Sequence, residues 1–253
     1  MPVYCIHDVA VYLDGYLRTR EVRDDPRALN GLQVDNSGRL ERVAAAVDAC
    51  QASIDAACTC GAGLLLVHHG LFWGGLEPLT GRHGRRVRAL HGHDVALYAA
   101  HLPLDCHPEV GNNAVLARGL GVRDLVPFGE EHDLAIGVLG SLAVPREALV
   151  ALVGRLLHAE PRLVACGPPD VKRVAIVTGA GSTFIREAKA AGADTLITGE
   201  GPHHSYFDAE ESGTNVIFAG HYATETVGVK ALAAHLSERF EVPWEFVDHP
   251  TGM

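Results

Sequence analysis

GLLLVHHG, residues 63–70, runs four large apolar residues straight into two histidines and a glycine. An apolar run this short without alternation fits a strand covered on both faces, the condition of a parallel sheet. Runs of the same kind recur at VAAAVDA (43–49), VALYAAH (95–101), LAIGVLG (134–140), RVAIVTG (173–179), TLITG (195–199) and NVIFAGH (215–221). Longer amphipathic stretches lie between them. PREALVALVGRLL places Pro145 at a first helical position, and TETVGVKALAAHLSERF offers Thr224 as an N-cap. Strands and helices alternating in this way predict α/β layers with much parallel pairing.

The two halves share a grammar. A strand ends in His68 and His69, a second runs into His101, Asp105 stands four residues beyond, and helical sequence follows. Later a strand ends at Gly199, His203 and His204 follow, another strand reaches His221, and Glu225 lies four beyond, again with a helix after it. This predicts two related α/β lobes, residues 1–128 and 129–253, with their strand ends on facing edges of one cleft. Open α/β sheets bind ligands beyond strand carboxyl ends.

The whole composition narrows the options. The chain has 253 residues with 47% hydrophobic and 21% charged, which excludes disorder and fibrous architectures. A net charge of −10 disfavours a nucleic-acid partner, which a broad basic surface would have to hold. No apolar run approaches the ~20 residues of a membrane span, and Asp8 and Asp14 interrupt the apolar pattern of the first segment, so neither a signal peptide nor a membrane helix is expected. Six cysteines without paired spacing predict a reducing, cytoplasmic setting. The C-x-C of Cys58 and Cys60 reads as small buried residues ending a helix and not as a soft-metal site.

Fifteen histidines are unusual, and their grouping carries the chemistry. Neighbours in a strand point to opposite faces, so His68 and His69 can share a site only where the strand gives out, and Gly70 permits that bend. His221 and Glu225 have i, i+4 spacing, and Asp105 holds the equivalent place in the first half. Three imidazoles and two carboxylates exceed the needs of one catalytic zinc and suit two divalent ions. His101, His203 and His204 remain as candidates for proton transfer or for support of the ligands. His91 and His93 end a basic helical stretch and read as surface residues, while VTGAGST (177–183) lacks the Lys of a Walker loop. Asn112 and Asn113, beside Asp105, could orient a ligand or cap a helix, and Phe72 and Trp73 read as core or subunit-contact residues. No H-E-x-x-H or H-x-H-x-D-H is present.

NGLQV (30–34), LLLVHHGLFW (64–73), YAAHLPLDCHPEVGNN (98–113), TGE-x-x-HH (198–204) and the H-x-x-x-E of HYATETVG (221–228) together resemble the GTP cyclohydrolase 1 type 2 homologues, the Nif-three-like dinuclear-metal hexamer family. The family's metal ligands fall on His68, His69, Asp105, His221 and Glu225. The resemblance implies a two-lobed α/β subunit in a toroidal homohexamer, with metal sites facing the interior. Before NGLQV this chain reads DDPRAL, without the Trp usual there.

The function expected is a metal-dependent hydrolase of a nucleotide or other heterocycle. Two ions, drawn from Zn, Mn, Fe, Co or Ni, would deliver a metal-bound hydroxide to an electron-poor carbon. The alternative is a non-catalytic protein that stores metal, senses it or regulates through it.

Overall fold

A computed structural model describes residues 4–73, 75–131 and 133–252. The chain is mixed α/β and divides into two lobes, Met1–Leu104 with Val229–His249, and Asp105–Gly228 with Pro250–Met253.

The first lobe is built on a five-stranded sheet ordered Trp244–Phe246, Val43–Asp48, Leu64–His69, Ala96–Ala99, Gly31–Val34. All neighbours are parallel except the last, whose pairing with Ala96–Ala99 is antiparallel. Leu64, Leu65, Leu66 and Val67 are all buried, so both faces of the central strand are covered, as its unbroken apolar run requires. On one face Ala44, Ala46, Leu65, Val67, Leu97 and Ala99 pack with Ile54, Ala57 and Leu90 from the helices Gln51–Thr59 and Gly81–Gly92. The first helix, Ile6–Leu17, buries Ile6, Val9, Ala10, Leu13 and Leu17, one stripe at helical spacing.

The second lobe carries a six-stranded sheet ordered Arg123–Glu131, Leu134–Pro145, Asp170–Val177, Thr195–Thr198, Asn215–Phe218, Arg162–Ala165. Its three central strands from Asp170 to Phe218 are parallel, and the outer pairings are antiparallel. Val174, Ile176, Ile197 and Ile217 pack with Leu149, Val153 and Leu157 of the helix Arg146–Leu157.

All seven strands expected from apolar runs are present. Two helix starts differ. Pro145 is the residue before the helix and not its first member. Thr224 is no N-cap, because the last helix already begins at His221 and runs to Phe240. Gly220, at φ 92, turns the chain directly from the strand into that helix, and Thr224 bonds back to the Gly220 carbonyl at 3.0 Å. Among the described residues no helix is long and apolar enough to cross a membrane.

Cys58 and Cys60 do close a helix, in its last turn and just past its end. Burial raises the Cys58 thiol, and burial with Glu245 alongside pushes Cys60 up to about 11. Such a thiol stays protonated at neutral pH and neither ligates nor attacks well. A short iodoacetamide pulse at pH 8, read by peptide mass spectrometry, should label the exposed Cys5 and spare Cys60. Equal labelling of both would contradict this.

Candidate metal centre

Each imidazole of the proposed ligand set sits at or just beyond the end of a parallel strand. His68 and His69 close the strand Leu64–His69, and His101 follows the strand Ala96–Ala99. In that lobe the donor atoms of His68, His69 and His101 lie within 4.8 Å of one another. The ring centroids of His68 and His101 are 5.1 Å apart, and those of His69 and His101 5.7 Å. Trp73 stands edge-on to His101 at 4.9 Å and donates its indole N–H to the Gly70 carbonyl. It therefore walls the imidazole cluster, whereas Phe72 packs on the core. At Gly70 a Cβ would lie 2.2 Å from the Gln33 amide, so a larger residue would have to displace that side chain.

What orients these rings lies elsewhere in the sequence. His68 Nδ1 meets the Ala100 carbonyl at 2.9 Å, His69 Nδ1 meets Asp48 at 2.8 Å, and His101 Nδ1 meets Asp24 at 2.8 Å. Asp24 is itself fixed: its other oxygen accepts from Asn30 at 2.8 Å and from the Leu102 amide at 3.0 Å, and Asn30 in turn accepts from the His101 amide. The His101 bond holds the Asp24 carboxyl below its ordinary value, against burial, which acts as the largest single influence and in the opposite direction. An acceptor at Nδ1 fixes the tautomer with Nε2 as the donor to a metal. No local sequence signal marks Asp24 or Asp48 as partners of these rings; Asp24 opens the DDPRAL segment that precedes NGLQV.

The second lobe repeats the device. His221 Nδ1 meets Glu200 at 2.8 Å, and its Nε2 lies 3.1 Å from Glu225. The hydrogen bond to Glu225 leads in pushing His221 up to about 9, with Glu200 adding to it and burial opposing. Gly179, at φ 65, comes so close that a Cβ would stand 2.4 Å from Glu225 Oε1 and 3.4 Å from His221 Nε2. The Gly179 amide donates to Thr224 at 3.1 Å, so the loop and the helix start are pinned together.

Asp105 is buried and accepts from Asn112 at 2.8 Å. Asn112 also accepts from the Gly228 amide at 2.7 Å, tying Asp105 to the helix that carries Glu225. Asn113 receives the Thr178 amide at 2.8 Å. Neither amide caps a helix; both hold the strand ends around the carboxylates. His203 and His204 are exposed on the loop entering the helix Ser205–Ser212, His203 edge-on to Phe207 at 5.6 Å. His91 and His93 are exposed, as expected.

The profile of the Duf34/NIF3 family (NGG1p interacting factor 3) matches residues 5–251. A GTP cyclohydrolase 1 type 2 homolog of Deinococcus radiodurans is 49% identical over 96% of this chain and 92% of its own length. One of Halobacterium salinarum is 46% identical over 98% and 99%. The crystal structure of TTHA1606 from Thermus thermophilus superposes with a TM-score of 0.92 at 43% identity, covering 98% of this chain and all of the other. Reduced HcgD from Methanocaldococcus jannaschii, at 23% identity and a TM-score of 0.86, shares the fold.

Proposed function

The chain belongs to the Duf34/NIF3 family, and on that premise we propose that it is a metal-dependent hydrolase acting on a nucleotide or other heterocycle, with His68, His69, Asp105, His221 and Glu225 as the ligands of two divalent ions. The observation that carries the reading is the treatment of Nδ1. In His68, His69 and His101 that nitrogen meets a carbonyl or carboxylate, which leaves Nε2 as the donor, and His221 Nδ1 meets Glu200 in the same way while its Nε2 faces Glu225, the carboxylate proposed to share the ion. Rings serving only to fill a core have no need of one shared orientation. The donors, neutral imidazoles with carboxylates, fit Zn, Mn, Fe, Co or Ni.

Bound there, the two ions would lower the pKa of a water and stabilise the negative charge that develops on the substrate. The protein's own residues do the rest. Asp24 holds His101 with Nε2 turned to the cluster, so His101 can take a proton from the water and return it to the departing nitrogen as the carbon–nitrogen bond opens. Its ring distances favour it over His203 and His204 for this role. Asn112 keeps Asp105 in place, and Glu200 keeps His221 in place.

The family resemblance adds a homohexamer. All five ligands belong to one chain, so the assembly should not depend on the ions. Protein reconstituted with excess metal and desalted should hold two ions per chain by elemental analysis, and should open the ring of GTP or another nucleotide in a product screen. Chelation should lower the thermal midpoint, by the ordinary linkage of binding to folding, without changing the mass seen by light scattering. A stoichiometry that never exceeds one ion refutes the dinuclear reading. Two ions without any product would favour metal storage or regulation, and dissociation on chelation would place a ligand between subunits.

A further inference from the structure

Beyond the carboxyl ends of the parallel strands Thr195–Thr198 and Asn215–Phe218, the second lobe has a cavity of about 650 Å³. Arg162, Glu200, His203, Tyr206, Phe207 and Phe218 supply its distinctive groups. Its position is where open α/β sheets take ligands, and its size is within the range of small-molecule sites.

Three features of the wall select a ligand class. Tyr206 and Phe207 are exposed, at 42% and 47%, although aromatic rings of this size are ordinarily covered. With Phe218 they offer ring faces and edges to a planar heterocycle, and such stacking accepts any base because every base has a π-face. The guanidinium of Arg162 is exposed and makes no hydrogen bond or ion pair among the described residues. In a chain of net charge −10, an uncompensated arginine beside three aromatic rings is a selective seat for an anion, and its planar fork suits phosphate. Glu200 lines the same cavity while accepting from His221 Nδ1, so one wall residue of the cavity also holds a candidate metal ligand. Gly201 keeps the floor flat: a Cβ there would meet Ser182 at 2.6 Å and Phe218 at 2.9 Å.

We propose that this cavity seats a nucleoside phosphate, the base against Tyr206, Phe207 and Phe218 and the phosphate on Arg162. The assignment of that ligand as substrate rests on the hydrolase reading above; the binding itself does not. Glu200 then has two neighbours, the ligand and His221, which places the bound heterocycle beside the groups proposed to act on it.

Equilibrium dialysis with GMP and UMP, on metal-loaded and on chelated protein, tests the site without requiring turnover. Guanosine and ribose 5-phosphate report the ring and the anion separately. Wild type should bind both nucleotides, with guanosine and ribose 5-phosphate each at least about tenfold weaker. Arg162→Ala should weaken GMP by about tenfold or more and leave guanosine unchanged. Phe207→Ala should weaken GMP and guanosine by about tenfold and leave ribose 5-phosphate unchanged. Both side chains are exposed, so the variants should fold, which circular dichroism and unchanged metal content verify. Failure of wild type to bind either nucleotide overturns the proposal. So does GMP binding that neither substitution alters, or a Phe207→Ala protein whose mass falls while GMP affinity holds, which would make the patch a contact between copies of this chain. Nucleotide binding to a protein that takes up no metal would refute the hydrolase reading and leave the cavity assignment standing.

Discussion

Glu225→Gln is expected to weaken metal retention by on the order of 100-fold, the upper end of what loss of a metal-orienting group costs. Glu225 is buried, and its carboxylate lies 3.1 Å from His221 Nε2, the atom proposed to donate to the ion. An amide of the same shape loses the negative charge that balances the cation and puts a donor where an acceptor belongs. His101→Ala removes a ring outside the proposed ligand set and should cost about tenfold at most in metal, with the larger part of its effect on turnover. Elemental analysis after gel filtration separates the two. Equal metal loss from both would mean that His101 is itself a ligand.

Gly179→Ala should do comparable damage without touching a donor atom. Gly179 is at φ 65, and a Cβ there would stand 2.4 Å from Glu225 Oε1. The helix start that carries Glu225 is bonded to the same loop through Thr224 and has little room to retreat. Gly121 supplies the control: it is at φ 76, but nothing lies within 4 Å of its Cβ position. Alanine at either position meets the left-handed backbone cost of roughly 1–2 kcal/mol, equivalent to a fall of about 2–8 °C in Tm. Gly121→Ala should stop there and keep its metal. Gly179→Ala should fall further and lose metal as well. A Gly179→Ala protein that binds metal like the wild type would show that the loop yields, and that the close approach does not set the position of Glu225.

Four of the five proposed ligands are legible in the sequence because each is marked locally. A buried strand shows itself as an apolar run, and the polar residue that ends such a run stands out, as His68 and His69 do after LLLV. His221 and Glu225 are marked by i, i+4 spacing, which the helix His221–Phe240 realises. That helix starts three residues before the capping signal at Thr224, because the glycine before His221 makes so tight a turn that Thr224 falls inside the helix and bonds back to it.

Local marking also has a limit. By itself the sequence marked seven of the strands, the presence of parallel pairing in both sheets and a set of proposed ligands, since these follow from periodicity and spacing along a few neighbouring residues. Tertiary structure alone decided which groups hold those residues. Asp24 reaches His101 across 77 positions, and Asp48 and Glu200 each reach their histidine across 21. It also decided that Trp244–Phe246 returns to the sheet of the first lobe beside Val43–Ala45. A hydrogen bond or a strand pairing is a property of two segments brought together by the burial of everything between them. No pattern within either segment encodes its partner, so the orientation of the His68, His69, His101 and His221 rings is a property of the folded chain alone.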